Sequence, residues 1–233
     1  MHKVNIPKWA VDRVIERRGS AHPTPILDPT RTALIVVDLQ NGFMVDGVAH
    51  ALCPTASWRS CRTSIGWRLP YGVPAARWYG SEYQRPGMGQ HVLHHAAGES
   101  EEAHRVHERE GSVGHQIYPE LDVKPKLIWS CRSGRFSAFL PESSDLAARL
   151  RAAGCDTVLI TGTVTNVCCE SSARDAMMMN FHTIMVSDGN AALSDEEHNA
   201  SLVNFYITFG DVMDTDFLIG CLERNAAPRE AAA

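Results

Sequence analysis

Lysine is scarce in this chain: only Lys3, Lys8, Lys124 and Lys126 stand among its 22 basic residues. Any chemistry that needs a lysine therefore has few candidates. Excess positive charge is absent too, since the formal net charge is −5. That excludes the basic footprint of a nucleic-acid binder. No apolar run approaches the ~20 residues of a membrane span. The charges of Lys8, Asp12, Arg13, Glu16, Arg17 and Arg18 break any signal-peptide layout. The seven cysteines are odd in number and lack Cys-x-x-Cys spacing, so free thiols in a reducing, cytoplasmic setting are expected rather than disulfides or a metal cluster.

At 233 residues, 44% hydrophobic and 21% charged, the chain has ordinary globular composition and room for one domain. A helical arm is expected in residues 1–27, over about Pro7–Arg18. The domain is expected over 28–225, with a frayed tail at 226–233. Ala33–Val37 is a continuous apolar run ending in Asp38. It reads as a strand buried on both faces, with Asp38 at its C-terminal end, where open α/β sheets bind ligands.

From Asp145 onward, helix and strand patterns alternate: helix Asp145–Ala153 stopped by Gly154, strand Thr157–Thr161, helix Asn166–Met179, strand Thr183–Ser187. Helix Asp195–Phe209 follows with Ser194 as N-cap, then strand Asp211–Met213 and helix Asp216–Glu223. This alternation predicts a parallel sheet with right-handed crossovers.

Residues 53–90 read differently. Trp58, Trp67 and Trp78 occur there with five Arg, four Pro and one acidic residue, Glu82. No helix or strand period holds, although a structureless stretch this long is unusual inside a compact α/β domain. Read in the third frame, Trp58–Leu69 admits a good amphipathic helix start, and Arg77–Ser81 admits Val-Val-Trp-Ile. A frameshift over about residues 56–90 is expected, with true divergence as the alternative. The same question attaches to Trp129–Gly134. As written, the second strand should be poorly formed or absent.

The strongest chemical signal is Ile160-Thr-Gly-Thr-Val-Thr-Asn-Val-Cys-Cys-Glu170. It describes a strand, a tight turn and a cysteine in the first helical turn. Free N–H groups and the helix dipole there favour thiolate and can hold an oxyanion. Position alone leaves Cys168 and Cys169 equal, and small buried cysteines are common. His104 and His107 have helical i,i+3 spacing that can hold metal, within a cluster that also contains His91, His94, His95 and His115. An exposed helix explains that cluster more simply.

Three segments together resemble the isochorismatase-like cysteine hydrolases. They are Val36-Val-Asp-Leu-Gln-Asn-Gly-Phe43, Arg135-Phe-Ser-Ala-Phe139, and Thr161 through Arg174-Asp-Ala176. The Thr-Asn-Val-Cys-x-Glu-Ser segment is the most specific. The resemblance implies a three-layer α/β/α fold with a six-stranded parallel sheet. It implies an Asp–Lys–Cys triad for hydrolysing amide, ureido or N-carbamoyl compounds, most like the ureidoacrylate branch. By the same resemblance Asp38 would be the general base and Cys168 the nucleophile. A cis peptide at Thr163–Val164 would aim the Val164 N–H at the oxyanion, and Phe43 and Arg135 would bind substrate.

Ser133 occupies the position of the family's lysine, so the triad is incomplete as written. No cofactor or metal is implied, and the Asp-x-His metal motif of the family's nicotinamidases is not visible. A small-molecule substrate and a homo-oligomer are expected, the latter through Leu202, Phe205 and Phe209, although core packing explains those residues equally well. Alternative functions are isochorismate-type vinyl-ether hydrolysis, which Cys168 argues against, and an impaired homologue that only binds ligand.

Overall fold

The alternating pattern folds into six parallel strands, β1 Thr32–Val37, β2 Ala75–Ser81, β3 Ile128–Ser133, β4 Thr157–Thr163, β5 His182–Ala191 and β6 Asp211–Met213. Their order across the sheet is β3-β2-β1-β4-β5-β6. The computed structural model describes residues 2–23, 27–45, 113–114, 116–119, 135–141 and 144–225 in full, and residues 75–81 and 128–133 by their backbone. The histidine cluster, residues 53–74 and 82–90, and the tail at 226–233 lie outside these.

Helices α1 Lys8–Arg18, α2 Asn41–Met44, α3 Leu146–Ala152, α4 Glu170–Met178, α5 Asp195–Thr208 and α6 Thr215–Asn225 complete the described elements. Successive strand residues point to opposite faces, and both faces are apolar. Ala33, Ile35, Val37, Val158, Ile160 and Met185 join one cluster with Leu150, Ala173, Leu202 and Phe205 of the helices. Leu34, Leu159, Ile184 and Val186 join the other with Leu218 and Leu222 of α6. The result is a three-layer α/β/α arrangement.

Local chemistry sets the helix ends. Ser194 accepts the Glu197 N–H at 3.1 Å, as an N-cap should. Gly19 (φ 79°) and Gly154 (φ 78°) close their helices in left-handed backbone. The arm docks through buried Ala10 and Val14. It is stitched to α5 and the turn beyond by Asn5 N–H to Asn199 Oδ1 (2.7 Å), Arg17 to the Ile207 carbonyl (2.8 Å) and Arg18 to the Gly210 carbonyl (2.8 Å).

The expectation of a poorly formed or absent second strand is corrected. Ala75–Ser81 pairs in parallel with β1 from Leu34↔Ala75 to Val37↔Trp78, and with β3 from Ala75↔Ile128 to Ser81↔Ser133, with one register shift after Tyr79. A central strand is held by main-chain N–H and C=O groups, which every residue of this proline-free stretch carries. Period-2 patterning was therefore not required. On α5, core packing is the use observed for the residues named above. Leu202 and Phe205 are fully buried in the core and Phe209 packs against it.

Candidate active site

β1 and β4 lie side by side, with Val37 opposite Gly162. Their C-terminal ends bring the motifs together. Gly162 has φ 124°, and a Cβ built on it would lie 1.9 Å from the Val37 carbonyl oxygen. Only glycine allows this approach. Immediately beyond, Asp38 takes a left-handed φ of 51° and is fully buried. Thr163 Oγ1 donates to the Asp38 carbonyl at 3.1 Å, and Thr161 Oγ1 to that of Ile35 at 3.0 Å. Two β4 side chains thus fasten the end of β1 that presents Asp38.

The Thr163–Val164 peptide is cis. After it, Thr165–Cys169 forms a single π-helical turn that runs into α4. The Val164 carbonyl accepts the N–H groups of Val167 (3.0 Å) and Cys169 (3.2 Å), passing over that of Cys168. This wide first turn lay within the helix predicted from Asn166. Two adjacent cysteines that position alone left equal differ here: Cys169 is fully buried, and the Cys168 thiol stands beside the Asp38 charge.

Burial pushes the Cys168 thiol well above its ordinary pKa. The Asp38 charge, the hydrogen bond to the Asp38 side chain and neighbouring Cys169 push it the same way, and a backbone hydrogen bond from Val164 opposes them. The helix-end effect expected to favour thiolate is therefore outweighed by desolvation and a negative neighbour. Beside the Asp38 carboxylate the protonated thiol is the favoured form.

Arg135 and Phe136 are half-buried and lead into buried Ser137, Ala138 and Phe139. The Ala138 N–H donates to Ser172 Oγ on α4 at 3.0 Å, tying this segment to the cysteine-bearing helix. Phe43 is half-buried on α2, directly after the β1 loop. That loop is held by a strand-like partner: Asn41 N–H to the Gln116 carbonyl, Gly42 N–H to the Gly114 carbonyl and Asn41 Nδ2 to the Val113 carbonyl, each 2.9 Å. Ser133 ends β3, where its backbone pairs with Ser81 at the same C-terminal edge of the sheet. Two strands thus separate β4 from β3. Among the described residues, no group of three or more His, Cys, Asp or Glu could hold a metal ion. No helix there is long and apolar enough to cross a membrane.

Sequence reasoning passed over Thr165, Ser201 and His198. Thr165 Oγ1 meets His198 Nδ1 at 2.9 Å, and Ser201 Oγ donates to Glu170 Oε2 at 2.6 Å while lying 3.3 Å from the Thr165 carbonyl. A lone histidine near the start of a helix carries no periodic signal. The Glu170 of the Cys-x-Glu-Ser segment was visible, and here it also takes Arg174 Nε at 2.9 Å.

This geometry is that of the isochorismatase-like α/β hydrolases, and the chain belongs to that family: residues 74–217 match the isochorismatase domain. It is 30% identical over 213 residues to the ureidoacrylate amidohydrolase RutB of Methylobacterium radiotolerans, covering 83% of this chain and 81% of the relative. Among solved structures, an isochorismatase-like hydrolase from Alkaliphilus metalliredigens superposes with TM-score 0.65 at 26% identity, covering 82% of this chain and 98% of the other. N-carbamoylsarcosine amidase from Thermoplasma acidophilum shares the fold, with TM-score 0.63 at 24% identity over 80% of this chain and 97% of that one.

Proposed function

We propose that this protein hydrolyses a C–N bond, other than a peptide bond, in a small amide, ureido or N-carbamoyl compound. The observation that carries the reading is Cys168 standing beside the buried Asp38 carboxylate and the cis Thr163–Val164 peptide, where β1 and β4 end side by side. Relatives named as ureidoacrylate amidohydrolases supply the reaction class. A cytoplasmic setting suits a nucleophile that must stay reduced.

In this mechanism Asp38 takes the thiol proton as sulfur attacks the substrate carbonyl. The two steps are coupled, because a free thiolate beside a carboxylate is disfavoured in a buried site. The tetrahedral oxyanion is held by the N–H groups of Val164 and Cys168, the latter passed over by the Val164 carbonyl. Collapse expels ammonia or an amine, which takes the proton from Asp38. Water then attacks the thioester, gives its proton to Asp38 and releases the acid and the thiol. Phe43 and Arg135 face the substrate in this reading, Arg135 as the cation for an acidic group.

The weak point is charge. Those charged groups named above as acting on the thiol are negative, and Ser133 stands where the family carries lysine. The chain as written therefore turns over slowly. Ammonia release from a panel of ureido and N-carbamoyl acids tests the activity. Iodoacetamide inactivation traced to Cys168, together with inactivity of Cys168→Ala, supports the cysteine mechanism. Full activity in Cys168→Ala would favour vinyl-ether hydrolysis instead.

A further inference from the structure

The turn that carries Cys168 begins at Thr165, which α5 meets at two atoms and the N-terminal arm backs through His198. His198 is fully buried on α5, between the turn and β5. Its Nε2 lies 3.0 Å from the Ser187 carbonyl, which can only accept. The ring proton is therefore on Nε2, and Nδ1 is left to accept from Thr165 Oγ1 at 2.9 Å. From the same helix, Ser201 Oγ reaches the Thr165 carbonyl at 3.3 Å. One helix thus grips both the side chain and the carbonyl of the turn's first residue.

The N-terminal arm backs His198. The His2 ring stacks on that of His198 with centroids 4.5 Å apart. His2 is fixed in its own tautomer: the Ala192 N–H donates to Nε2 at 3.0 Å, so Nδ1 carries the proton and donates to Asp195 at 2.7 Å. Asn199 Nδ2 donates to the Lys3 carbonyl at 3.0 Å and holds the arm in place. A neutral imidazole so enclosed has one orientation.

We propose that His198 is a positioning residue for the nucleophile turn: its ring fixes Thr165 against β5 so that the Cys168 thiol stays in line with Asp38, and His2 of the arm closes over it. This rests on the reading of Cys168 as nucleophile. Polar pairing is not needed merely to fill this space, since a valine has the shape of threonine. Orientation is what the hydroxyl adds, and small displacements of a reacting group are costly in rate.

The test compares Thr165→Val, which keeps volume and loses the hydroxyl, with Thr165→Ser, which keeps the hydroxyl. Ammonia release should show kcat of Thr165→Val reduced about 10–100-fold per folded molecule with KM within about twofold, and Thr165→Ser restoring most of it. Vibrational difference spectra against matching Cys168→Ala proteins isolate the Cys168 S–H stretch. That band should shift in Thr165→Val and return in Thr165→Ser. A His2→Ala protein should show the same change in smaller degree. The proposal is overturned if Thr165→Val keeps the wild-type kcat and S–H band, or if Thr165→Ser is as impaired as Thr165→Val. The band does not depend on turnover, so an active Cys168→Ala would sink the nucleophile reading alone.

Discussion

Cys168 stands beside Asp38, close enough for the carboxylate charge to raise its thiol pKa, although 130 positions separate them in the chain and each follows a different strand. The contact exists because β1 and β4 are neighbours in the sheet, with Val37 directly opposite Gly162. Asp38 is fully buried, so its carboxylate acts on the thiol with little screening by water. Proton transfer between the two moves charge within the site without changing its total.

Removing either partner should abolish turnover without unfolding the protein. Cys168→Ala leaves no nucleophile, and Asp38→Asn leaves an amide that cannot take a proton. A loss of about 10²–10⁴ in kcat is expected for Asp38→Asn. Ammonia release at saturating substrate, with circular dichroism as the check on folding, decides it. Retained activity in Asp38→Asn would assign the base elsewhere.

Lysine restoration should raise the rate. Ser133→Lys needs residues 129–134 to run as a strand, and β3 does so through Ser133. One well-placed cation in a buried site is worth about 10²–10³ in rate. The parent protein should fall below the ordinary enzyme range of about 1–10³ s⁻¹, and the variant should rise toward it. An ordinary rate in the parent would mean that another cation, Arg132 first, supplies the charge.

Gly162→Ala should be among the most damaging single substitutions. Its methyl group would meet the Val37 carbonyl oxygen at 1.9 Å in a backbone conformation with φ 124°. Both the clash and the strained φ oppose it, so a loss on the order of 3 kcal/mol or more is expected. Urea unfolding measures this directly. A change under about 1 kcal/mol would show that β4 can move away from β1 cheaply.

His198 should make stability fall in mild acid. Burial, reinforced by the neighbouring His2, lowers its pKa from 6.5 to about 4. Between those values the unfolded chain binds the proton and the folded chain does not, so stability is complete above about pH 6.5 and declines as pH falls toward 4. The contribution is about 3 kcal/mol at most. Unfolding free energies of wild type and His198→Gln, compared from pH 7 to 4.5, should converge as pH falls. Parallel curves would contradict the buried neutral ring.

His22 should act with the opposite sign. Its Nδ1–H donates to buried Asp211 at 3.0 Å, and this hydrogen bond raises its pKa above 6.5 against the opposing effect of burial. That stabilisation is present below pH 6.5 and is lost as pH rises through the raised value. Thermal unfolding of His22→Gln should show a larger deficit at pH 5.5 than at pH 8.5. An equal deficit at both would remove the charge from the explanation.

Local patterns in the sequence determined most of the second half of the fold. Ser194 before three acidic residues, Gly154 after Ala153 and the apolar runs at Thr32–Val37 and Thr157–Thr163 act through caps, φ preference and burial, which depend on near neighbours. The places of Asp38 after β1 and of Cys168 after β4, and the cis Thr163–Val164 peptide, were legible through the motifs, because those segments are contiguous. Tertiary structure alone decided the rest. β2 formed without an apolar period, since main-chain pairing with β1 and β3 is open to any residue except proline. The π-helical form of the turn that carries Cys168 and Cys169 came from packing, where the sequence showed only a helix start. The thiol's high pKa came from burial beside Asp38, where the sequence showed only a helix end. His198 met Thr165, and His2 met His198, across gaps of 33 and 196 positions that no pattern in the sequence spans. Contacts of this kind have no period, because they arise only when separate elements pack against one another.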